Sequence, residues 1–449
     1  MIRGGYGIFF IPNYVEYDSN PSIDFVNSIN TNYVSSVDGG LTPCVNPSST
    51  GCVGGPTFNL SNPYPSGIIQ PPGRSPGLKE LALGQWFWMN SPPNPYGYNQ
   101  QWNLNVQREL PDGILVDLAY AGSKGTHLPD FAQQIDALPD KYLALGSHMY
   151  DTVPNPFYGV ITNGTYLSAP TTFLGQLLLP YPQYSGVSIN ASGFGSSIYH
   201  SFQAKVEKRF KGGGSLLAAY TASKLITTGD IDSLISWLDP GGYGGVQNWN
   251  NLKGERSLGN FDVPQRLVVS YVLDLPVGRG KRFLSTVGGA TDKLVGGWGI
   301  EGVSTFQSGL PLNFSLAGGT IGPNDGQRPN KNGSGAISGS PESRLNQWFG
   351  TSAFSVPTPY TYGTESRVDS VLRSQGINNF DFALYKTTTF GPDNKLGMQF
   401  RAEFFNLFNK PMFGPPATTC CQPDQPNFGV VSSQVNQPRL LQFALRFLF

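Results

Sequence analysis

The 449-residue sequence lacks any apolar run that approaches the roughly 20 residues of a transmembrane helix. Its mean hydropathy is only -0.21. A membrane-spanning helix is therefore excluded. A transmembrane β-barrel is not excluded, because barrel strands alternate lipid-facing and interior-facing side chains, and this alternation averages to a middling hydropathy.

Charged residues are also scarce. They make up 13% of the sequence, against about 25% in a typical globular protein, while aromatic residues make up another 13%. This composition favours an apolar exterior on part of the molecule. Lys and Arg together number 29, as do Asp and Glu. The sequence therefore offers no basic field for nucleic acid, and no nucleic-acid partner is expected.

Only four cysteines are present, in two local pairs, Cys44 with Cys52 and Cys420 with Cys421. The three histidines lie far from both pairs in sequence, so no zinc site is expected. Cys44 and Cys52 fit a loop disulfide in an oxidising compartment, and unpaired thiols fit nearly as well. The adjacent pair could join only with strain, and its state is left open.

The patterns of the common enzyme classes are missing as well. The sequence contains no HExxH, GxSxG or P-loop pattern, and its lone histidines are more typical of structural or surface positions. The Gly-rich stretches "GVGG" and "GRGKRF" do not connect a strand to a helix, so they do not indicate phosphate binding. We expect no catalytic residue, cofactor or metal, and therefore no enzyme.

A two-residue alternation dominates the sequence instead. The chain ends in "RLLQFALRFLF", and one face of this segment carries Leu441, Phe443, Leu445, Phe447 and Phe449, while polar or smaller residues alternate with them. This period is that of a β-strand, not of a helix. Because chain ends usually fray, we interpret the aromatic end as a segment that is used, namely as an assembly signal.

The same alternation predicts about ten strands, each close to the roughly 9 to 11 residues that cross a bilayer at a tilt. They are "RGGYGIFF", "QWNLNVQREL", "ILVDLAYAGSKG", "YHSFQAKVEKRF", "SLLAAYTASK", "RLVVSYVLDLP", "GGWGIEGVSTFQSGLPL", "NNFDFALYKTTTF", "KLGMQFRAEFFNLFNKP" and the terminal segment. Helical patterning is almost absent. The sequence therefore predicts an all-β, antiparallel sheet.

The connections between these strands alternate in length. Compact turns at Asp112, Gly213 and Asp393 and a moderate one near Arg279 alternate with long stretches rich in Gly, Pro, Asn, Ser and Tyr. The long stretches run approximately over 12–97, 125–195, 226–262, 309–377 and 409–437. Outer-membrane barrels show this segregation, with short periplasmic turns and long external loops. The prediction is thus a transmembrane β-barrel whose C-terminus lies on the periplasmic side.

This interpretation assigns roles to side chains on both faces of the strands. Interfacial girdle aromatics would be Trp102, Tyr120, Tyr271 and Trp298. Lumen-lining residues would be Asn105, Asp117, Gln203, Lys205, Glu207, Gln399, Arg401 and Glu403. A soluble β-sandwich with a core face and a solvated face would use the same alternation, so the strands alone leave both alternatives open.

The succession of segments also resembles a known family. "RGGYGIFF", "YNQQWNLNVQRELPDGILVDLAYAGSKGTHL", "FDVPQRLVVSYVLDLPVGRGKRF", "GGWGIEGVSTFQSGLPL", "FRAEFFNLFNKPMFG" and "FALRFLF" are similar, in this order, to the C-terminal part of TonB-dependent transporters, specifically the Oar-like group common in Acidobacteria. The resemblance covers essentially the whole chain. It implies a 22-stranded outer-membrane barrel, plugged by an N-terminal domain and driven by the TonB complex.

The chain departs from this pattern at its front. It shows no signal peptide, TonB box or plug, and fewer than half of the strands. We therefore expect residues 1–449 to be the C-terminal part of a larger barrel and to contact the TonB complex only through the missing N-terminal part. The resemblance implies that the terminal strand is recognised by the barrel-assembly machinery through its edge.

Two functions in the outer membrane stay open. The first is energised uptake of an unidentified substrate captured by the long external loops, whose aromatic and Asn-rich stretches "NPYGYNQ" and "GGYGGVQNWNN" could stack on sugars or bind peptides. The second is surface adhesion or structural display without energy coupling. A soluble secreted β-protein is the third alternative.

Overall fold

The computed structural model describes residues 1–11, 47–48, 51–52, 83–90, 95–161, 166–229, 245–319, 321, 326–390, 396–421 and 425–449. Ten long strands dominate it, and each coincides with a segment of two-residue alternation. They are β1 (Ile2–Ile11), β2 (Gly97–Leu110), β3 (Ile114–Gln134), β4 (Gly186–Arg209), β5 (Gly214–Thr227), β6 (Gln265–Asp274), β7 (Trp298–Gln307), β8 (Ile377–Phe390), β9 (Leu396–Phe405) and β10 (Leu440–Leu448). The predicted all-β fold is confirmed.

The ten strands form one antiparallel sheet in which every strand pairs with its neighbours in the sequence. This order is that of a meander, the simplest topology for strands joined by hairpins. Among the described residues, no pairing joins β1 to β10, so the sheet is open between its first and last strands. The two outermost strands, β1 and β10, run antiparallel to each other, because strand direction alternates along the sheet and eight strands lie between them.

Shorter strands and helices accompany this sheet. Two short strands pair with it, Trp86–Asn90 alongside β4 and Ser257–Leu258 alongside β5. Four small pairs lie elsewhere: Pro47–Ser48 with Gly51–Cys52, Thr152–Pro154 with Thr171–Phe173, Ser315–Leu316 with Thr419–Cys420, and Asn330–Lys331 with Phe354–Ser355. Within the described ranges, the α-helices are α1 (Leu174–Leu177) and α2 (Gly289–Val295), and the 3-10 turns are Pro111–Gly113, Asp140–Tyr150, Tyr166–Ser168, Leu252–Glu255, Glu342–Arg344 and Thr351–Ala353. None of the helices in the described ranges has the length and apolar character that a membrane-spanning helix requires.

The tight hairpin between β2 and β3 forms where the sequence predicts it. Asp112 adopts a φ of 62° and Gly113 a φ of 70°. This left-handed conformation is tolerated by Asp and favoured by Gly, and Pro111 supplies a fixed φ just before it. The turn therefore reverses the chain in three residues and sets the register of the first hairpin.

Strands β3 and β4 extend beyond their predicted ends. The sequence placed a long connection over 125–195, whereas β3 continues to Gln134 and β4 begins at Gly186. The pairing shifts register twice between Gly125 and Asp130, and His127 there has a φ of 51°. Such bulges insert unpaired residues and interrupt the two-residue alternation. The pattern that marks a strand is lost there, although the strand itself continues.

The register of the sheet separates its side chains into two faces. Directly paired residues share a face, and the pairs Leu104 with Tyr120, Phe382 with Phe404 and Phe400 with Leu445 belong to one of them. This is the apolar face. The pairs Asp117 with Lys205 and Glu403 with Ala383 belong to the opposite one, the polar face.

The main apolar clusters lie outside the sheet, among the connections at its long-loop end. One cluster consists of Leu312, Phe314, Trp348, Phe349, Phe354, Leu372, Cys420 and Val431, and the other of Leu138, Met149 and Leu179. Both are formed by residues from segments that the sequence describes only as long loops. The long connections at this end therefore fold into a packed layer, which we call the loop layer and define as the described parts of 135–185, 228–264, 308–376 and 406–439.

Candidate functional site: the polar face and the loop layer

All eight residues predicted to line a lumen fall on the polar face. At its β2–β4 side, Asn105 donates a hydrogen bond from Nδ2 to Asp117, and Gln107 donates from Nε2 to the other carboxylate oxygen of Asp117 at 3.3 Å. Asp117 is also paired in register with Lys205. The carboxylate on this part of the face is thus held by amide donors, with a cation on the next strand.

Charge pairing continues along β4. The Glu207 carboxylate lies 3.5 Å from Lys205 Nζ and 3.0 Å from Arg209 Nε. Gln203 extends the polar row by donating from Nε2 to Ser201 Oγ at 3.2 Å. Ser201, Gln203, Lys205 and Glu207 alternate with Phe202, Ala204 and Val206, as a period of two requires.

A second charged group occupies the same face on β7 and β9. Arg401 pairs with Glu301 through its NH2 group, and its Nε lies 3.1 Å from Glu403. Gln399 donates to Thr387 Oγ1 at 3.1 Å. A cavity of about 340 Å³ opens beside this group, lined in part by Glu301, Glu403 and Asp381. The polar face thus carries two charged groups, one on β2–β4 and one on β7–β9. Between them, β5 and β6 contribute Leu217, Ala219, Val268 and Val272.

Metal binding finds no support in this arrangement. Within the described ranges, no group of three or more His, Cys, Asp or Glu side chains is placed to hold a metal ion. On the polar face, Glu207, Glu301 and Glu403 are paired with Arg or Lys, whereas Asp117 and Asp381 accept hydrogen bonds from amide groups.

The four predicted girdle aromatics lie on the apolar face. Trp102 Nε1 donates to the Tyr120 hydroxyl at 3.4 Å, and that hydroxyl lies 2.7 Å from His200 Nδ1. At the short-turn end, Trp298 Nε1 donates to the Leu294 carbonyl at 3.1 Å. Aromatic rings with a satisfied polar atom suit the boundary between hydrocarbon and water.

Two of these aromatic rings lie over glycines of the neighbouring strand. Trp102 is paired with Gly122, and a Cβ at Gly122 would lie 2.6 Å from atoms of the indole. Tyr271 is likewise paired with Gly302, where a Cβ would lie 2.7 Å from the Tyr271 hydroxyl. In both pairs the absent side chain provides the space that the ring fills, which is a way to fix register between neighbouring strands.

The predicted assembly signal lies exposed on the outermost strand. Leu441, Phe443, Leu445, Phe447 and Phe449 are all exposed, the first four on the apolar face of β10 and Phe449 just beyond its end. Phe443 stacks against Phe400 of β9 with ring centroids 6.2 Å apart. No second strand of the described part of the chain pairs with β10, so the main-chain groups on its outer edge suit pairing with another strand.

Both cysteines of one local pair, Cys420 and Cys421, lie within the described residues, but only Cys52 of the other pair does. Cys420 and Cys421 are joined to each other, and Cys420 is fully buried in the larger apolar cluster. Cys44 lies outside the described residues, so its pairing with Cys52 stays a prediction.

The loop layer contains buried ion pairs that the sequence did not predict. Arg328 Nη1 lies 2.6 Å from the Glu255 carboxylate, and Arg373 Nη2 lies 2.6 Å from the Asp262 carboxylate. Lys331 pairs with Asp369, whose side chain is fully buried. Burying charges is costly unless each is paired and hydrogen-bonded. Two of these pairs, Arg328 with Glu255 and Arg373 with Asp262, join separate segments of the loop layer.

Hydrogen bonds tie the separate loops together and to the sheet. Asp140 accepts hydrogen bonds from Tyr362, at 2.9 Å, and from Asn248 and Asn250 at 3.1 and 2.9 Å. Arg367, which is buried, donates to the backbone carbonyl and hydroxyl of Thr227 at the end of β5. The loops that carry Asp140, Asn248 with Asn250, and Tyr362 thus meet at the Asp140 carboxylate. The hydrogen bonds from Arg367 to Thr227 connect the loop layer to the end of β5.

A signal for this network exists in the sequence, although it is weak. Charged residues are scarce overall, yet "GERSLGNFDVPQR" and "ESRVDSVLRSQGINNFD" place several of them next to predicted strand ends. Charges concentrated within loops rich in Gly and Pro indicate ion pairs that order those loops. Their partners cannot be assigned from spacing, because Arg328 and Glu255 are 73 residues apart.

An antiparallel meander with one apolar face, one charged face and segregated loop lengths defines the class of transmembrane β-barrels. A family model described as an outer membrane beta-barrel domain matches residues 1–442, and the chain belongs to this family. Its location is accordingly the outer membrane.

Solved structures give a more distant comparison. The chain is 8% identical to the outer membrane transporter YddB from Escherichia coli, with a TM-score of 0.38, over 81% of this chain and 34% of that one. It is 10% identical to FpvA from P. aeruginosa, solved in complex with a pyoverdine and iron, with a TM-score of 0.30, over 79% of this chain and 27% of that one. The chain thus spans 34% of the length of the first of these proteins and 27% of the second. No curated protein matches the sequence.

Proposed function

We propose that residues 1–449 form the C-terminal barrel portion of a TonB-dependent outer-membrane transporter, of the Oar-like kind, for energised uptake of an unidentified substrate. The observation that carries the proposal is the polar face. Its charged groups, which include the ion pairs of Lys205 with Glu207 and of Arg401 with Glu301, fit a water-filled interior and not a packed apolar core. The ordered succession of sequence segments described above supports the assignment to this group.

In this proposal the short turns face the periplasm and the loop layer faces the exterior. Girdle aromatics and the apolar face contact outer-membrane lipid, and the loop layer makes the first contact with substrate. The free edges of β1 and β10 pair with further strands of the same barrel, since an edge left open in lipid would leave backbone groups unsatisfied. The TonB complex acts through an N-terminal part and not through these residues. The proposal assigns no catalytic role, cofactor or metal.

Surface adhesion is the second candidate, and one observation favours it. The loop layer has its own apolar clusters and buried ion pairs. A rigid, ordered exterior suits the display of a binding surface, for which no energy coupling is needed. Flexible loops that close over a substrate would need less of such internal packing.

A comparison of three strains of the source organism distinguishes the two candidates. The strains are the parent, a deletion of this gene and a deletion of the gene for TonB, and the measurement is the depletion of solutes from the growth medium. Uptake predicts at least one solute whose depletion is lost in both deletion strains. If gene deletion changes attachment to surfaces and leaves every solute depleted as in the parent, the transport proposal is wrong and adhesion is favoured.

A further inference from the structure

A small pocket lies where the loop layer meets the ends of β7 and β8. Its volume is about 160 Å³. Two of its lining residues, Gln307 and Ile377, are paired with each other in register and stand at polar-face positions. The rest come from four segments of the loop layer, at 260, 308–313, 374–375 and 412–435. The pocket is thus built from parts distant in sequence, at the long-loop rim of the polar face.

The lining has no formal charge. None of the residues around the pocket is Asp, Glu, Lys, Arg or His, although ion pairs are frequent in the surrounding loop layer. Its apolar part includes Leu310, Met412 and Phe413. Because a charged ligand would lose its hydration here without gaining a partner of opposite charge, the pocket selects uncharged molecules.

Two polar side chains of the lining are already engaged in holding the loops. Gln375 donates to the Pro411 carbonyl at 3.2 Å and accepts from the Phe413 amide at 2.6 Å. The Ser374 hydroxyl accepts from the Leu310 amide at 3.1 Å. These groups shape the pocket, and their hydrogen bonds leave them little capacity for a ligand.

Asn260 differs from them. Its side chain is only 6% exposed, and its amide nitrogen Nδ2 has no hydrogen-bond partner among the described residues. A buried amide donor without a partner costs about 1–3 kcal/mol, so such groups are rare and call for an explanation. An acceptor atom on a molecule in the pocket would satisfy this donor.

We propose that this pocket binds a small, uncharged cyclic molecule that carries a carbonyl or ether oxygen, with the ring against the apolar lining and the oxygen accepting from Asn260 Nδ2. The size agrees, because protein cavities of about 150 Å³ hold one six-membered ring. The proposal concerns binding alone and does not depend on energised uptake. Where uptake operates, the pocket is a first contact for substrate at the rim of the lumen.

The test uses N-methyl-2-pyrrolidone, a water-miscible lactam with one carbonyl acceptor and no donor, so that partition into detergent is small. The protein is purified from outer membranes in micelles, and saturation-transfer NMR follows the lactam over a concentration series, with empty micelles as the blank. We expect saturable binding with a Kd on the order of 1 mM, as suits a ligand of this size.

Three variants test whether the saturation-transfer signal comes from lactam bound in this pocket. Asn260→Leu removes the donor and should weaken binding about 3- to 10-fold. Val435→Trp, at an exposed position in the lining, should fill the pocket and abolish binding. Val356→Trp, at an exposed loop position outside the lining, is the matched control and should bind as the wild type does.

Absence of saturable binding by the wild-type protein would overturn the proposal, as would equal binding by the wild type and Val435→Trp. Unchanged binding by a folded Asn260→Leu variant would overturn the assigned role of its amide. Retention of the heat-modifiable gel mobility typical of a folded barrel shows that each variant is folded. A negative result here leaves the transport proposal intact, because that proposal is tested by solute depletion in cells.

Discussion

Asp136 lies in the loop layer, two residues beyond Gln134, the last residue of β3. It is fully buried; one carboxylate oxygen accepts from the Tyr181 amide at 2.7 Å, and the other, Oδ2, has no hydrogen-bond partner among the described residues. Burial raises the pKa of this carboxyl to about 7, with the Tyr181 hydrogen bond acting in the opposite direction. The nearby Tyr166 phenol responds to the same charge, since burial and Asp136 both raise its pKa.

This shift predicts that the local stability of the loop layer decreases with rising pH. In the unfolded chain the carboxyl titrates near 3.8, so between about pH 4 and 7 the folded state binds more protons than the unfolded state and the free energy of unfolding falls. Hydrogen exchange at the Tyr181 amide, corrected for the intrinsic rate, should show decreasing protection over this range and a plateau above it. Asp136→Asn should remove the dependence, and pH-independent protection in the wild type would contradict the account.

At the scale of single elements, the rings over glycines make a sharp prediction for strand pairing. In Gly122→Ala the new Cβ would lie 2.6 Å from the Trp102 indole, so the ring must move and the free energy of unfolding should fall by about 1–3 kcal/mol. Gly4→Ala on β1 is the control, because its Cβ would meet only ordinary contacts at 3.5 Å or more. Urea unfolding of both variants in lipid vesicles measures the difference. Equal midpoints would show that the Trp102 and Gly122 pair does not fix this register.

The terminal strand carries a prediction about assembly. Phe449→Asp should leave folding in detergent nearly unchanged, since Phe449 is exposed and lies beyond β10. It should lower the amount of protein in the outer membrane if the assembly machinery captures this end. Phe449→Tyr keeps the aromatic ring and should assemble normally. Quantitative immunoblots of outer-membrane fractions compare the three proteins, and normal levels of the Asp variant would remove the recognition role.

The strands were predictable because each carries its own signal. In "QWNLNVQREL" and "KLGMQFRAEFF" most apolar side chains recur at every second position, as expected where one face of a strand meets an apolar environment and the other a polar one. The ends of β3 and β4 were not predictable, because the bulges around His127 interrupt that alternation. The polar-face residues follow from the same period, so Asp117 and Arg401 were assigned to one face from the sequence alone.

At the scale of the whole molecule, the loop layer shows what a local pattern cannot encode. Asp140 and Tyr362 are in hydrogen-bond contact although 222 positions separate them, and Arg373 pairs with Asp262 across 111 positions. Neither spacing nor composition links such residues, so the sequence indicated only long loops rich in Gly, Pro and Asn. Packing of those loops on the strand ends brings the charges together and creates the pocket at Asn260.

The central claim is that the two faces of the sheet meet different solvents, lipid on one side and water on the other. Strand β4 tests it directly, because Phe202, Ala204 and Val206 alternate with Gln203, Lys205 and Glu207. The four native cysteines are replaced by serine, and a single spin label is then placed at each of these positions in turn in protein reconstituted into vesicles. Collision rates with oxygen and with a water-soluble nickel complex are measured at every position.

The account predicts a period of two in these rates. Labels at 202, 204 and 206 should collide more with oxygen, which concentrates in hydrocarbon, and labels at 203, 205 and 207 more with the nickel complex. A soluble sheet would give low access to both reagents on its packed face and high nickel access on the other. That result, or equal access on both faces, would contradict the assignment of the apolar face to lipid.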